Sequence, residues 1–188
     1  MWVDILRKIH RGVLGTSSQL RLLPCRLLGL RVPWSVRVGK RIQWPLGNLR
    51  NIHLGENVSL GNAGWIYLPL HNRSARIQID EGTAIGDNFT FSANDLIHIG
   101  RNCLISYRVS ILDHDHVTGH DVNPVTSGTT KGEPVIIGEN TFLGTGVVIM
   151  RGVTLGKNCV VNANSVVMRS FEDYCLISGS PAKVMMKL

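Results

Sequence analysis

Aromatic residues are scarce, only 6% of the 188, although 44% of the chain is hydrophobic. A core built from this sequence must therefore be aliphatic, and the 20 glycines call for many tight corners between short strands rather than a bundle of long helices. Long apolar runs are missing too. The longest uncharged stretch near the N-terminus falls far below the ~20 residues of a membrane span, and Pro24 and several arginines interrupt the region, which excludes a transmembrane helix there. The charges do not precede one clean apolar block, which argues against a cleaved signal peptide. Cys25, Cys103, Cys159 and Cys175 show no C-x-x-C spacing, as expected of reduced thiols in a cytoplasmic protein.

Acidic residues are nearly absent from one region. Residues 1–50 carry ten Lys/Arg against the single acid Asp4, whereas residues 51–188 carry ten against twelve, so the overall net charge of +7 belongs to the N-terminal segment. A basic face for nucleic acid loses its support once the charge is placed this way, and no nucleic-acid partner is expected. Residues 1–31 instead combine apolar positions (Trp2, Ile5, Leu6, Ile9, Val13, then Leu20, Leu22, Leu23, Leu27, Leu28 and Leu30) with interspersed arginines. Two readings stand side by side: a peripheral segment on the anionic inner face of the cytoplasmic membrane, or a helix packed on its own domain or a neighbouring subunit. Residues 32–50, with Pro33, Trp34, Trp44 and Pro45, read as an irregular or short-stranded transition, which gives a basic helical or irregular segment over 1–50 and a single domain over 51–188.

From Leu54 a period of six sets in. Aliphatic positions fall at Leu54, Leu60 and Ile66; at Ile79, Ile85 and the aromatic Phe91; at Ile99, Ile105 and Ile111; and unbroken at Ile137, Leu143, Ile149, Leu155, Val161 and Val167. Glycine repeatedly follows the aliphatic residue, and asparagine often comes two places later, as in G86-D-N, G100-R-N, G138-E-N and G156-K-N. Both tolerate left-handed or crowded corners. The pattern predicts an all-β solenoid in which three hexads make one circuit of a triangular coil, each coil covering its neighbour's core. A narrow interior of this kind should accept Ile, Leu and Val but little larger.

The period breaks twice. Ser92-Ala93-Asn94-Asp95 adds residues that would push a bulge out of the coil. Residues 113–134, D-H-D-H-V-T-G-H-D-V-N-P-V-T-S-G-T-T-K-G-E-P, form a long aperiodic stretch rich in Asp and His, the kind of interruption that carries function.

The hexads, the loop, the K131-G-E-P-V-I-I-G-E-N-T-F-L-G-T-G-V-V-I segment and the ending I177-S-G-S-P-A-K-V resemble the hexapeptide-repeat acyltransferases, in the branch of galactoside, maltose and polysaccharide O-acetyltransferases. The resemblance covers about residues 54–188 and leaves out 1–50. It implies a left-handed parallel β-helix, a homotrimer, acetyl-CoA as co-substrate without a metal, and a sugar or lipid-linked saccharide acceptor. Aligning V109-S-I-L-D-H-D-H places His116 at the position of the general base, with Asp113, Asp115 or a backbone carbonyl to orient its ring and His114 as an acceptor-binding neighbour. Imidazole titrates near working pH and can take the proton of a sugar hydroxyl. The resemblance further assigns the thioester-facing backbone N–H to Thr145, the cofactor groove to Phe142, Gly144, Thr145, Ala163, Met168 and Arg169, the nucleotide phosphates to Lys183, and the acceptor to Ser92, Asn94 and Asp95. Arg169 and Lys183 also fit as solvated surface charges. Two rivals fit the pattern less well: a metal-dependent hydratase of the carbonic anhydrase type, for which His114, His116 and His120 are crowded into one loop, and a non-catalytic scaffold, which needs neither the S-P-A-K ending nor the loop.

Overall fold

The computed structural model describes residues 16–188. The apolar positions expected to face a membrane from Trp2 to Val13 lie outside the described residues. Residues 16–27 are helical, and the chain then winds into a coil with three flat faces.

The first face is an eight-stranded sheet that includes Arg37–Val38, Ser59–Leu60, Ala84–Ile85, Leu104–Ile105, Phe142–Leu143, Val160–Val161 and Cys175–Gly179, closed by Ala182–Lys187. The second contains Trp65–Tyr67, Thr90–Ser92, Ser110–Leu112, Val148–Ile149 and Val166–Val167. The third contains Ile52–Leu54, Arg76–Ile79, Leu96–Ile99, Val135–Ile137 and Thr154–Leu155. Among the described residues every pairing between coils is parallel, and of the strands only the final one runs antiparallel.

The period-six residues are the register. Leu60, Ile85, Ile105, Leu143, Val161 and Ile177 stack on the first face. Ile66, Phe91, Ile111, Ile149 and Val167 stack on the second, and Leu54, Ile79, Ile99, Ile137 and Leu155 on the third. All of these side chains are buried. The stacking begins upstream of residue 51, because Arg37–Val38 pairs with Ser59–Leu60 and Gln43 bridges Trp65.

Corner residues divide their labour. Asn88, Asn102, Asn140 and Asn158 take positive φ of 58°, 55°, 56° and 55°, the left-handed conformation that asparagine tolerates. The glycine two places earlier serves close stacking: a Cβ on Gly138 would lie 2.5 Å from the carbonyl carbon of Gly156 on the next coil. The interior is also roomier than the aliphatic pattern suggested. Phe89 and Phe91 are fully buried with ring centroids 4.9 Å apart, and Phe89 fits because Gly64 leaves a hollow in which a Cβ would meet its ring at 2.1 Å. All four cysteines are buried as free thiols, and burial pushes the Cys103 thiol up to about 11, so it stays protonated near neutral pH.

Candidate active site

The extended strand Ser110–Leu112 ends at a bend at Asp113, where the long loop leaves the corner between the second and third faces. Strict alternation of side chains therefore stops there, and Asp113 and His114 do not point to opposite sides. Asp113 is fully buried. Its Oδ1 accepts the backbone N–H of Asn94 at 2.7 Å and lies 2.8 Å from His114 Nδ1, while its Oδ2 accepts the N–H of Asp95 at 2.7 Å. His114 is only 9% exposed, and its Nε2 lies 3.5 Å from the Ser92 hydroxyl. With the carboxylate accepting at Nδ1, the ring proton sits on that nitrogen and the Nε2 lone pair is left for another group.

The Ser92–Asp95 insertion does not push outward. Ser92, Ala93 and Asn94 are buried, and the returning arm of the loop lies over them. Asn94 Nδ2 donates to Thr129 Oγ1 at 2.6 Å and to the Thr130 carbonyl at 3.1 Å, and a Cβ on Gly132 would fall 2.6 Å from Asp95. The widened corner is thus roofed, and its amides are what hold Asp113.

His116 stands apart from this cluster. It is exposed in the outgoing arm, where its backbone bridges Thr129, and among the described residues no side chain hydrogen-bonds its ring. Asp115 faces away as well, bound to Arg151 Nε at 2.6 Å, and Glu133 joins the same guanidinium. Hydrogen bonding to Asp115 and the charge of Glu133 raise the Arg151 pKa above its ordinary value. His120 pairs with Asp121 at 2.8 Å in the solvent. The three loop histidines consequently occupy three different surroundings. Among the described residues no three His, Cys, Asp or Glu side chains come together as metal ligands.

The expected cofactor residues separate into three places. Gly144, Thr145 and Ala163 share the corner between the first and second faces, with Phe142 on the strand that leads into it. Thr145 and Ala163 stack one coil apart, the Asn164 N–H donating to the Thr145 carbonyl at 2.8 Å. Their own backbone N–H groups have no partner among the described residues, which leaves two outward donors in a row suited to carbonyl oxygens. The Thr145 hydroxyl is occupied by Ser106 at 2.9 Å. Met168 and Arg169 lie instead at the corner between the second and third faces, Arg169 resting 5.3 Å from the Phe171 ring centroid. Lys183 is exposed on the closing strand opposite Ser178.

His114 and Thr145 flank the second face from opposite edges. Thr145 stacks over Tyr107, whose carbonyl accepts the N–H of Gly146, and the strand Ser110–Leu112 lies between Tyr107 and His114. One chain does not bring the two together.

A three-faced parallel solenoid with a period of six is the architecture of hexapeptide-repeat proteins. Residues 134–169 match the family described as the hexapeptide repeat of succinyl-transferase. The chain is 31% identical over 144 residues to the putative lipopolysaccharide biosynthesis O-acetyl transferase WbbJ of Escherichia coli K12, a match covering 73% of this chain and 72% of the relative. A hexapeptide-repeat containing acetyltransferase of Vibrio cholerae O1 biovar eltor, crystallised with acetyl-CoA, superposes with a TM-score of 0.61 at 28% identity, covering 72% of this chain and 70% of that one. AntD, an N-acyltransferase of Bacillus cereus, matches in fold with a TM-score of 0.72 at 18% identity, covering 90% and 88%. The chain belongs to the hexapeptide-repeat acyltransferase family and is an acyltransferase.

Proposed function

We propose that the protein transfers an acetyl group from acetyl-CoA to a hydroxyl of a saccharide acceptor, an intermediate of surface-polysaccharide assembly, with His114 rather than His116 as the general base. The observation that carries this reading is the buried Asp113–His114 pair, which fixes the proton on Nδ1 and presents Nε2 beside the Ser92 hydroxyl. Among the described residues no side chain hydrogen-bonds the exposed His116 ring to fix its tautomer. Nε2 takes the proton of the acceptor hydroxyl as its oxygen bonds to the thioester carbonyl carbon, and returns that proton to the departing thiolate. When bound, acetyl-CoA supplies the activated acyl carbon. We assign the carbonyl oxygen to the N–H of Thr145, a reading supported by its lack of a partner among the described residues, and one such donor typically contributes about 2.7–4 kcal/mol to the transition state. The relative from Escherichia coli, named for lipopolysaccharide biosynthesis, supports the polysaccharide setting.

The site is read as closing between copies of the chain in a cyclic trimer. Two observations favour assembly: the separation of His114 from Thr145, and an outward apolar row on the first face. Ala84, Leu104, Phe142, Val160, Leu176 and Met186 follow one another in register along that row. A continuous apolar stripe of this kind calls for a partner, and a closed cyclic assembly supplies one.

The N-terminal end is read as resting on the inner face of the cytoplasmic membrane. The helix over 16–27 buries Ser18, Leu22 and Cys25 against the first coil, while Arg21 and Arg26 donate to the Val38 and Val32 carbonyls. These two arginines are used for packing, so the packed reading of this segment holds for the helix's inner side. Its outer side leaves Leu20, Leu23 and Leu27 exposed, with Trp34 beside them and exposed Arg31, Arg37, Lys40, Arg41 and Arg50 around this end. Apolar side chains ringed by cations fit an anionic lipid surface. No helix of the described residues is long and apolar enough to cross a membrane.

The test of the activity is acetyl transfer by the purified protein to a panel of saccharides, with His114→Ala alongside. Loss of transfer in that variant is expected, and retention of most of the activity would overturn the assignment. The membrane reading predicts sedimentation with phosphatidylglycerol vesicles, weakened by salt and by Leu20→Glu with Leu27→Glu. Unchanged partitioning of that double variant would leave only the packing role.

A further inference from the structure

The second face carries a feature that the acyl-transfer chemistry does not use. Trp65 and Tyr67 flank Ile66, whose side chain goes inward to the ladder, so both rings stand outside on the edge strand nearest the N-terminal end. Trp65 is 43% exposed and Tyr67 36%. Their ring centroids are 5.9 Å apart at a 36° tilt, and the Tyr67 centroid lies 6.5 Å from that of His114. In the register, Tyr67 pairs with Ser92, the residue whose hydroxyl meets His114 Nε2, and Trp65 pairs with Thr90, which pairs in turn with Ser110. A row of aromatic faces thus runs into the candidate base with hydroxyls alongside it.

Unlike the singly exposed Tyr107 and Tyr174, the two rings are contiguous and lie beside the candidate base. They add nothing to the core, which Ile66, Phe89 and Phe91 fill at this level. Side chains with a flat apolar body and a polar tip suit ligands that are apolar on one face and hydroxylated at the rim. Pyranose rings are such ligands: their C–H faces lie against an aromatic ring while their hydroxyls reach Thr90, Ser92 and Ser110.

Resting on the reading of the enzyme as a saccharide acetyltransferase, we propose that Trp65 and Tyr67 form a docking platform for the acceptor sugars adjoining the one that is acetylated. The acceptor is then an oligosaccharide, laid along the second face from the N-terminal end toward His114. A saccharide tethered to lipid would enter from that end. Binding remote units in this way orients the reacting hydroxyl, so shorter acceptors react less well.

The experiment measures transfer from acetyl-CoA to p-nitrophenyl glycosides of mono-, di- and trisaccharides by the wild type, Trp65→Ala, Tyr67→Ala, Trp65→Phe and Tyr67→Phe. The wild type should prefer the longer acceptors. Trp65→Ala should lower kcat/KM for them by about tenfold and leave monosaccharides unchanged, Tyr67→Ala, whose ring also lies against His114, should lower it at least as far, both should leave the KM for acetyl-CoA unchanged, and both should be rescued by the ring-preserving variants. The platform is overturned if the alanine variants keep the length preference, or if sedimentation shows that they break up the assembly, which would make the aromatic face an interface between copies. Absence of transfer to every saccharide by the wild type would instead remove the acetyltransferase reading and the platform with it.

Discussion

His114 and His116 are two residues apart in a repeated D-H-D-H, yet their surroundings have almost nothing in common. The first lies at the base of the loop, enclosed by the widened corner and fixed through Asp113 to two backbone amides from 18 and 19 residues upstream. The second sits in an arm held to the opposite arm by a few contacts, the Val117 N–H to the Gly128 carbonyl at 3.0 Å and Ser127 Oγ to the Val117 carbonyl at 2.7 Å. A proton acceptor must be held in one tautomer and one orientation to work, and enclosure supplies that where exposure does not. Residue type alone did not separate the two histidines; their supports do.

The most direct way to break the comparison is to remove each ring in turn. His114→Ala should lower the rate of transfer by roughly 10²–10⁴-fold, the usual contribution of a general base, whereas His116→Ala should change it by less than about tenfold. Steady-state kinetics on both variants decide it, and a reversed order would return the base to His116.

Asp113 sharpens the same contrast because it holds both the corner amides and the His114 ring. Replacing it with Ala leaves the buried N–H groups of Asn94 and Asp95 without an acceptor, at about 1–3 kcal/mol for each such group, so a fall of several degrees in Tm is expected. Asp113→Asn keeps the size and some of the hydrogen bonding but no longer requires the proton on His114 Nδ1. Its activity should fall much further than its stability. Equal losses in both would make the carboxylate a structural support only.

The ladder was readable because a β-helix writes its geometry into the sequence at a fixed interval: Ile137 to Val167 at six-residue steps gives the three faces in order. The site was less readable for reasons equally physical. Period-two alternation would set Asp113 and His114 on opposite sides, but the strand ends at Leu112 and both side chains are buried together after the bend. No local pattern tells that a corner 18 residues earlier supplies the amides. The aromatic pair does carry a signal in the sequence: with Ile66 on the ladder, period two places Trp65 and Tyr67 outside. Phe89 was hidden differently, since its space is created by Gly64 on the coil before.

The contact between arm and base gives a smaller effect. A Cβ on Gly132 would lie 2.6 Å from both the Asp95 nitrogen and its Cβ, so Gly132→Val should force the returning arm off the corner at roughly 1–3 kcal/mol, typical of overpacking. The Glu133 N–H, now donating to the Asp113 carbonyl at 2.7 Å, would shift with it. Amide hydrogen exchange should then quicken at residues 129–133 and at Asn94 and Asp95, while the coils from Ile137 onward keep their protection. Loss of protection throughout the solenoid would mean that base and arm fold as one unit and that the contrast between them is false.

The smallest effect is expected where the arm is held only by exposed charge. Arg151 joins Asp115 and Glu133 at the surface, and ion pairs in water are weak and screened by salt. Arg151→Ala should lower Tm only slightly at low ionic strength, and the difference from the wild type should vanish at high salt. Activity should change little, because neither carboxylate touches His114. If Arg151→Ala instead lowers transfer as far as Asp113→Asn does, the arm positions the base after all, and the two histidines share a support that their separate surroundings conceal.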